Sequence, residues 1–167
     1  NYNSMMIIQC IVVASAFLGS ERLELALEKA GDNRTELEAV LAHYQEGSQK
    51  YAAACFLIEN MPGHNYAELV FFDPEDARVD FDSLSYENYD AASAAMSAIE
   101  KERGELHYGR GNTIEDTQTI SSSYLIENID LSFLGWKTNP WSKELSFEDF
   151  CEYVLPYRGS NEPIEHW

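Results

Sequence analysis

Cysteine and histidine are the residues of this sequence whose chemistry would be easiest to recognise. Catalysis by cysteine needs a thiolate, a nearby base and a group that orients the base. Cys151 lies between Phe150 and Glu152, and both burial and a neighbouring carboxylate disfavour a thiolate. No spacing couples a cysteine to any of the four histidines, which are His43, His64, His107 and His166. We therefore predict no catalytic residue in this chain.

The sequence patterns that would indicate a metal site or a disulfide are also weak. The histidines have no partner four residues away, and no Cys-x-x-Cys pair occurs, so we predict no metal site and no cofactor. The acid-rich segment 73–82 lacks the glycine and the closing glutamate of a calcium loop, and we interpret it as a solvated loop. Cys55 and Cys151 are predicted to be buried free thiols. A bridge between them in an oxidising compartment stays open as the alternative.

Composition limits the partners that this chain can have. Its 167 residues fit one domain, and a hydrophobic content of 45% argues against disorder. The formal net charge of -18 would repel nucleic acid and anionic membranes. We interpret the acidity as a device for solubility, with a basic partner or a cation-rich downstream domain as the alternative.

The first residues resemble an export signal. The apolar run from Ile7 to Leu18 is too short to span a bilayer, and Ala14-Ser-Ala16 has the form of a signal-peptidase site. We predict a signal peptide over residues 1–19 and export to the periplasm, the outer surface or the medium. A buried first helix is the alternative. Cys10 follows Ile-Ile-Gln, which lacks the small residue of a lipobox, so a lipid anchor is in doubt.

Apolar periodicity predicts helices along most of the remaining chain. The pairs Asn33 with Glu36 and Ser146 with Asp149 have the spacing of capping boxes, and Ser48 can cap the helix that follows it. Helices are predicted from Glu21 to Ala30, between Asn33 and Gly47, between Ser48 and Pro62, from Tyr89 to Arg103, from Thr119 to Trp136 and at about residues 147–155.

These helices predict an all-α fold, an irregular bundle of five or six helices. It would carry an acidic loop or small insertion around residues 65–90, a polar loop over 104–118 and little strand beyond a short stretch at 69–72. The helical domain would cover residues 20–158, and residues 159–167 would form a tail.

Several motifs occur in an order that resembles a known family. They are Met61-Pro-Gly-His64, the stretch from Ser123 to Phe133, the stretch from Phe147 to Arg158, and Asn161-Glu-Pro163. This region is similar to the N-terminal helical region of secreted bacterial transglutaminase-like proteins. The resemblance covers about residues 21–167 and is weakest between 65 and 117. In that family a papain-like core follows, and here its Cys, His and Asp would lie beyond Trp167.

The resemblance implies a non-catalytic accessory domain. It would position or extend the cleft of a downstream Cys-His-Asp core that acts on peptide or amide bonds. The alternative is a free-standing acidic helical module that binds a protein or peptide. The residues predicted to contact a downstream domain are Trp141, Tyr157, Arg158, Ile164 and Trp167, with a tail folded back on its own helices as the alternative.

Overall fold

The computed structural model describes residues 21–164, with the side chain of Lys143 excepted. Within that range the chain forms seven helices and a three-stranded antiparallel sheet, so the prediction of an all-α fold is wrong. The predicted signal peptide, Cys10, His166 and Trp167 lie outside the described residues. The helices are α1 (residues 21–29), α2 (Arg34–His43), α3 (Gln49–Asn60), α4 (Tyr89–Arg103), α5 (Asp116–Thr119), α6 (Ser122–Thr138) and α7 (Phe147–Tyr153). The strands are β1 (Asn65–Phe72), β2 (Arg78–Val79) and β3 (His107–Glu115), and short 3-10 turns occur at Gly31–Asn33, Ser83–Ser85 and Pro140–Glu144.

The chain divides into two compact units. One, here called the helical unit, comprises the described residues up to Tyr66 and from Glu115 onward. The other, here called the sheet unit, is Ala67–Ile114. The sheet unit therefore extends well past the insertion that was predicted around residues 65–90.

The core of the helical unit is centred on Phe150 of α7, which is fully buried. Its ring stacks on Trp136 with the ring centroids 4.3 Å apart, and it meets Phe133 edge-on at 4.8 Å. Leu125, Ile129 and Phe133 form the buried face of α6. These residues follow the apolar spacing from which the helix was predicted, since residues three and four apart lie on the same side of a helix.

Two of the predicted helix caps are confirmed. The Ser48 hydroxyl accepts a hydrogen bond from the amide of Tyr51 at 3.1 Å, at the start of α3. The Ser146 hydroxyl accepts one from the amide of Asp149, also at 3.1 Å, at the start of α7. Each serine satisfies an amide that has no partner within its helix.

The predicted capping box of Asn33 and Glu36 is wrong. The Asn33 amide group donates instead to the carbonyl oxygens of Thr117 and Ile120, at 3.1 and 3.0 Å. The Glu36 carboxylate accepts the amide of Ser122 at 2.6 Å, and the hydrogen bonds from Ser122 lower the pKa of Glu36 below its usual value. Both side chains thus connect α2 to the chain around α5 and α6.

The sheet unit is built on the strand order β2-β1-β3. β1 pairs with β2 in antiparallel register, with Phe71 opposite Val79 and Phe72 opposite Arg78. Residues 73–77 make the tight turn between them, and β2 lies further along the same acidic segment that was expected to be a solvated loop. The Asp73 carboxylate accepts the amides of Glu75 and Ala77, both at 3.0 Å, so one carboxylate holds the turn.

Glycines in β3 explain why this strand was not predicted. A Cβ at Gly109 would lie 3.0 Å from the Phe72 ring, and one at Gly111 would lie 3.0 Å from Val70 and 3.3 Å from the carbonyl oxygen of Glu68. Side chains of β1 therefore lie against the backbone of β3. The glycines allow this close approach, although their frequency suggested a loop.

Replacing Gly111 with alanine tests this interpretation. We expect Gly111→Ala to destabilise the sheet unit by about 1–3 kcal/mol, because the new methyl group overpacks a tight contact. Hydrogen exchange of the β1 and β3 amides measures that change. Gly159→Ala is the matched control, since nothing lies within 4 Å of its Cβ position. Equal exchange in the two variants would contradict the close packing.

Candidate functional site

The most deeply buried charges described in the helical unit form one ion pair. The Asp116 side chain, at the start of α5, is 0% exposed, and that of Arg158, after α7, is 8% exposed. Nη2 of Arg158 donates to Oδ1 of Asp116 at 2.6 Å, and Nε donates to Oδ2 at 2.7 Å. Such bidentate pairs are the strongest charge-assisted hydrogen bonds and hold both groups in one orientation.

Further hydrogen bonds complete this pair. Tyr157 donates its hydroxyl to Oδ2 of Asp116 at 2.9 Å. Nη1 of Arg158 donates to the carbonyl oxygen of Ser160 at 2.9 Å and to that of Glu162. We call Asp116, Tyr157 and Arg158 the clasp. It fixes the path of the chain after α7 by holding the backbone two and four residues beyond Arg158.

The electrostatics of the clasp exclude a reactive phenolate. Burial, together with the charge of Asp116, raises the pKa of Tyr157 far above its usual value. Burial alone would lower the pKa of Arg158, but the hydrogen bonds and charge of Asp116 outweigh it and raise that pKa. Arg158 therefore stays charged and Tyr157 stays protonated, which suits a structural role better than proton transfer.

Other motif residues meet at the clasp. Nδ1 of His64 lies 3.3 Å from the Tyr157 hydroxyl, and the His64 carbonyl oxygen accepts the amide of Asp116 at 3.0 Å. The Tyr157 hydroxyl uses its proton to bond Asp116. Its oxygen can therefore accept a hydrogen bond from His64 in the tautomer that has a proton on Nδ1. Tyr124 donates to the carbonyl oxygen of Tyr157 at 3.4 Å, and Asn128 donates to that of Leu155 at 2.8 Å.

A groove of about 790 Å³ lies beside the clasp, within the helical unit. Its walls come from α6, the end of α7 and the chain that follows, and they include three tyrosines, two prolines and two glutamates. A smaller pocket of about 170 Å³ shares Tyr124 and Ile164 with the groove. The groove is of the size that binds ligands in proteins.

The structure brings together three of the five residues that were predicted to form an interface. Tyr157, Arg158 and Ile164 all line the groove. Trp141 is 59% exposed in the turn Pro140–Glu144 and is not among the groove residues, and Trp167 lies outside the described part of the chain. Whether any of the five contacts a downstream domain stays a prediction.

Sequence reasoning missed Asp116. It fell in the polar stretch that was predicted to be a loop, where an aspartate is ordinarily a cap or a solvated charge. The Thr117 beside it is buried as well, but a short polar run contains no apolar spacing that could indicate burial. His64 was connected with these residues only because it belongs to one of the motifs of the resemblance.

The two described cysteines are free thiols, as predicted, but only Cys151 is buried and Cys55 is half-buried. Burial, with a further contribution from Glu152 and Glu148, raises the pKa of Cys151 to about 11. Burial also raises the pKa of Cys55. Both side chains are therefore protonated at neutral pH and are poor nucleophiles.

Within residues 21–164, no group of three or more His, Cys, Asp or Glu side chains is placed to hold a metal ion. Over the same residues no helix has both the length and the apolar character needed to cross a bilayer.

No family model matches the chain, and comparison with characterised proteins and with solved structures finds no significant match. The assignment of a function therefore depends on the residues and their geometry, together with the resemblance described above.

Proposed function

We propose that this chain is the non-catalytic N-terminal helical domain of an exported transglutaminase-like protein. Its role would be to orient the segment that leads to a downstream Cys-His-Asp core and to extend the cleft of that core. The observation that supports the proposal best is that the motifs of the resemblance meet at the clasp.

The motifs are far apart in sequence but share direct contacts. His64 belongs to the first motif, Tyr124 and Asn128 to the second, and Tyr157 and Arg158 to the third. The contacts of His64 and Tyr124 with Tyr157 join all three motifs. The fourth motif, Asn161-Glu-Pro163, is held through the carbonyl oxygen of Glu162. Motifs that resemble those of one family and also contact one another favour a single shared role for these residues.

The free energy needed to bury the charges of the clasp favours a positioning role for it. A buried ion pair stabilises a protein no better than well-packed apolar side chains of similar volume. What a bidentate pair adds is a defined orientation. Here that orientation is imposed on the segment after α7, which is the segment that would lead to a downstream domain.

Export and the lack of catalysis are the two remaining parts of the proposal, and they rest on the sequence and on the state of the thiols. Export rests on the apolar run 7–18 and its signal-peptidase pattern. A lack of catalysis in this domain is supported by the protonated state of Cys55 and Cys151 at neutral pH.

The experiment that tests the proposal is to sequence the gene and its transcript past codon 167. We expect the reading frame to continue and to encode a Cys, a His and an Asp in that order. A stop codon directly after Trp167 would contradict the accessory role and leave the free-standing acidic module as the function.

The longer protein also allows a direct comparison of two cysteines. Replacing the cysteine of the core should abolish cleavage or transfer of amide bonds. Cys151→Ser should leave kcat of the folded protein unchanged, because that thiol is buried in the hydrophobic core of the helical unit. Loss of turnover in Cys151→Ser at an unchanged Tm would contradict a scaffold role for α7.

A further inference from the structure

The groove beside the clasp is lined by aromatic rings. Tyr124 and Tyr157 meet edge-on with their ring centroids 6.3 Å apart. Tyr153 stands on the groove wall with 78% of its surface exposed. Phe150, on the same helix, is fully buried, whereas Tyr153 is exposed on this wall and offers a free ring face to a ligand.

The charge that remains in the groove is negative. Arg158 lines it, but the guanidinium charge is compensated by Asp116, and four of its N–H groups are used in the clasp. Glu152 and Glu162 also line the groove. Among the described residues neither carboxylate takes part in a salt bridge.

Aromatic faces together with carboxylates are suited to organic cations. An ammonium or guanidinium group is attracted to the face of a tyrosine ring and pairs with a carboxylate. The same groove would repel a phosphate or carboxylate ligand, and the net charge of -18 would add to that repulsion.

We propose that this groove binds a basic segment of a polypeptide, with a lysine or arginine side chain at the Tyr153 ring and the carboxylates of Glu152 and Glu162. Its volume of about 790 Å³ exceeds that of one side chain, and the adjoining pocket of about 170 Å³ adds room for a neighbouring residue. A peptide fits these dimensions better than a single small amine. The inference concerns side chains of this chain alone and does not depend on a downstream domain.

The test is a titration of the full chain with a fluorescein-labelled octapeptide of alternating lysine and glycine, followed by fluorescence anisotropy. Saturable binding with one site per chain is expected at about 0.15 M salt, where long-range attraction is screened. The matching peptides with glutamate or with acetylated lysine should not bind. Absence of saturable binding by the lysine peptide, or equal binding of the acetylated peptide, would overturn the proposal.

Matched variants distinguish peptide binding in the groove from a general attraction of the peptide to the acidic surface. Tyr153→Ala and Glu152→Gln should each weaken binding about 3- to 30-fold, the range expected for one cation–π contact or one ion pair. Glu148→Gln removes the same charge from the same helix but lies outside the groove, and Tyr108→Ala removes an exposed tyrosine of the sheet unit. These controls should leave the Kd unchanged. If Glu148→Gln weakened binding as much as Glu152→Gln, the attraction would be non-specific and the groove would not be the site.

All four replaced side chains are exposed, so each variant should fold, which an unchanged Tm would verify. Shifts of the backbone amide signals of Tyr153 and Gly159 on adding the peptide would place it in the groove. Shifts confined to other residues would contradict that placement.

Discussion

Replacing Arg158 with alanine is expected to lower the free energy of unfolding of the helical unit by about 3–5 kcal/mol. The variant would leave the carboxylate of Asp116, which is 0% exposed, without its counter-charge. It would also release the carbonyl oxygens of Ser160 and Glu162, which fix the chain after α7. Urea unfolding monitored by the helical circular dichroism signal measures this loss.

Arg34 provides the control for this experiment. It also pairs with two carboxylates, Glu24 at 2.8 Å and Glu38 at 2.7 Å, but its side chain is 36% exposed. Arg34→Ala should therefore cost much less than Arg158→Ala, because water replaces the lost partners. In the double variant Asp116→Ala/Arg158→Ala the two losses should be far from additive. Additive losses, or equal effects of the two arginine variants, would mean that the clasp is not a buried charge pair.

Replacing Phe150 with alanine is the second change with a large expected effect. Phe150→Ala should lower the free energy of unfolding by about 3–5 kcal/mol, since it removes a fully buried ring and leaves a cavity. Trp136 would lose the ring on which it stacks at 4.3 Å and keep its contacts with Phe133 and Phe147. Urea unfolding followed by tryptophan fluorescence, to which Trp136 contributes, measures the loss of stability.

Tyr153→Ala is the matched control for Phe150→Ala. Tyr153 is an aromatic residue three positions further along α7, but most of its surface is exposed. Its removal should change stability little, because little apolar area leaves the core. If both variants lost the same stability, α7 would not be buried through the face that contains Phe150.

Six of the seven described helices could be predicted because their signals are local, whereas α5 fell mostly in the stretch that was predicted to be a loop. Ser48 and Ser146 sit just before apolar residues spaced three and four apart, and both act as caps. The span predicted for the helix from Tyr89 to Arg103 agrees with α4. The case of Asn33 shows the limit of this approach, because its side chain had a distant acceptor that no local pattern could indicate.

The sheet and the clasp depend on contacts between distant residues. Gly111 looks like a loop residue in sequence, and only the nearness of Val70 shows that it belongs in a strand. Asp116 likewise looks like a solvated acid until Arg158, 42 residues further on, is placed beside it. Tyr157 and Arg158 were predicted to contact a downstream domain, with a tail folded back on its own helices as the alternative, and their polar atoms are largely used inside the helical unit.

The long separation between Asp116 and Arg158 has a consequence for biosynthesis. Chains are made from the N-terminus, and domains fold as units while synthesis proceeds. Until Arg158 has left the ribosome, the nascent chain contains Asp116 without a counter-charge, and burying that carboxylate would be strongly unfavourable. We therefore expect the helical unit to complete its core only after the segment that follows α7 has left the ribosome.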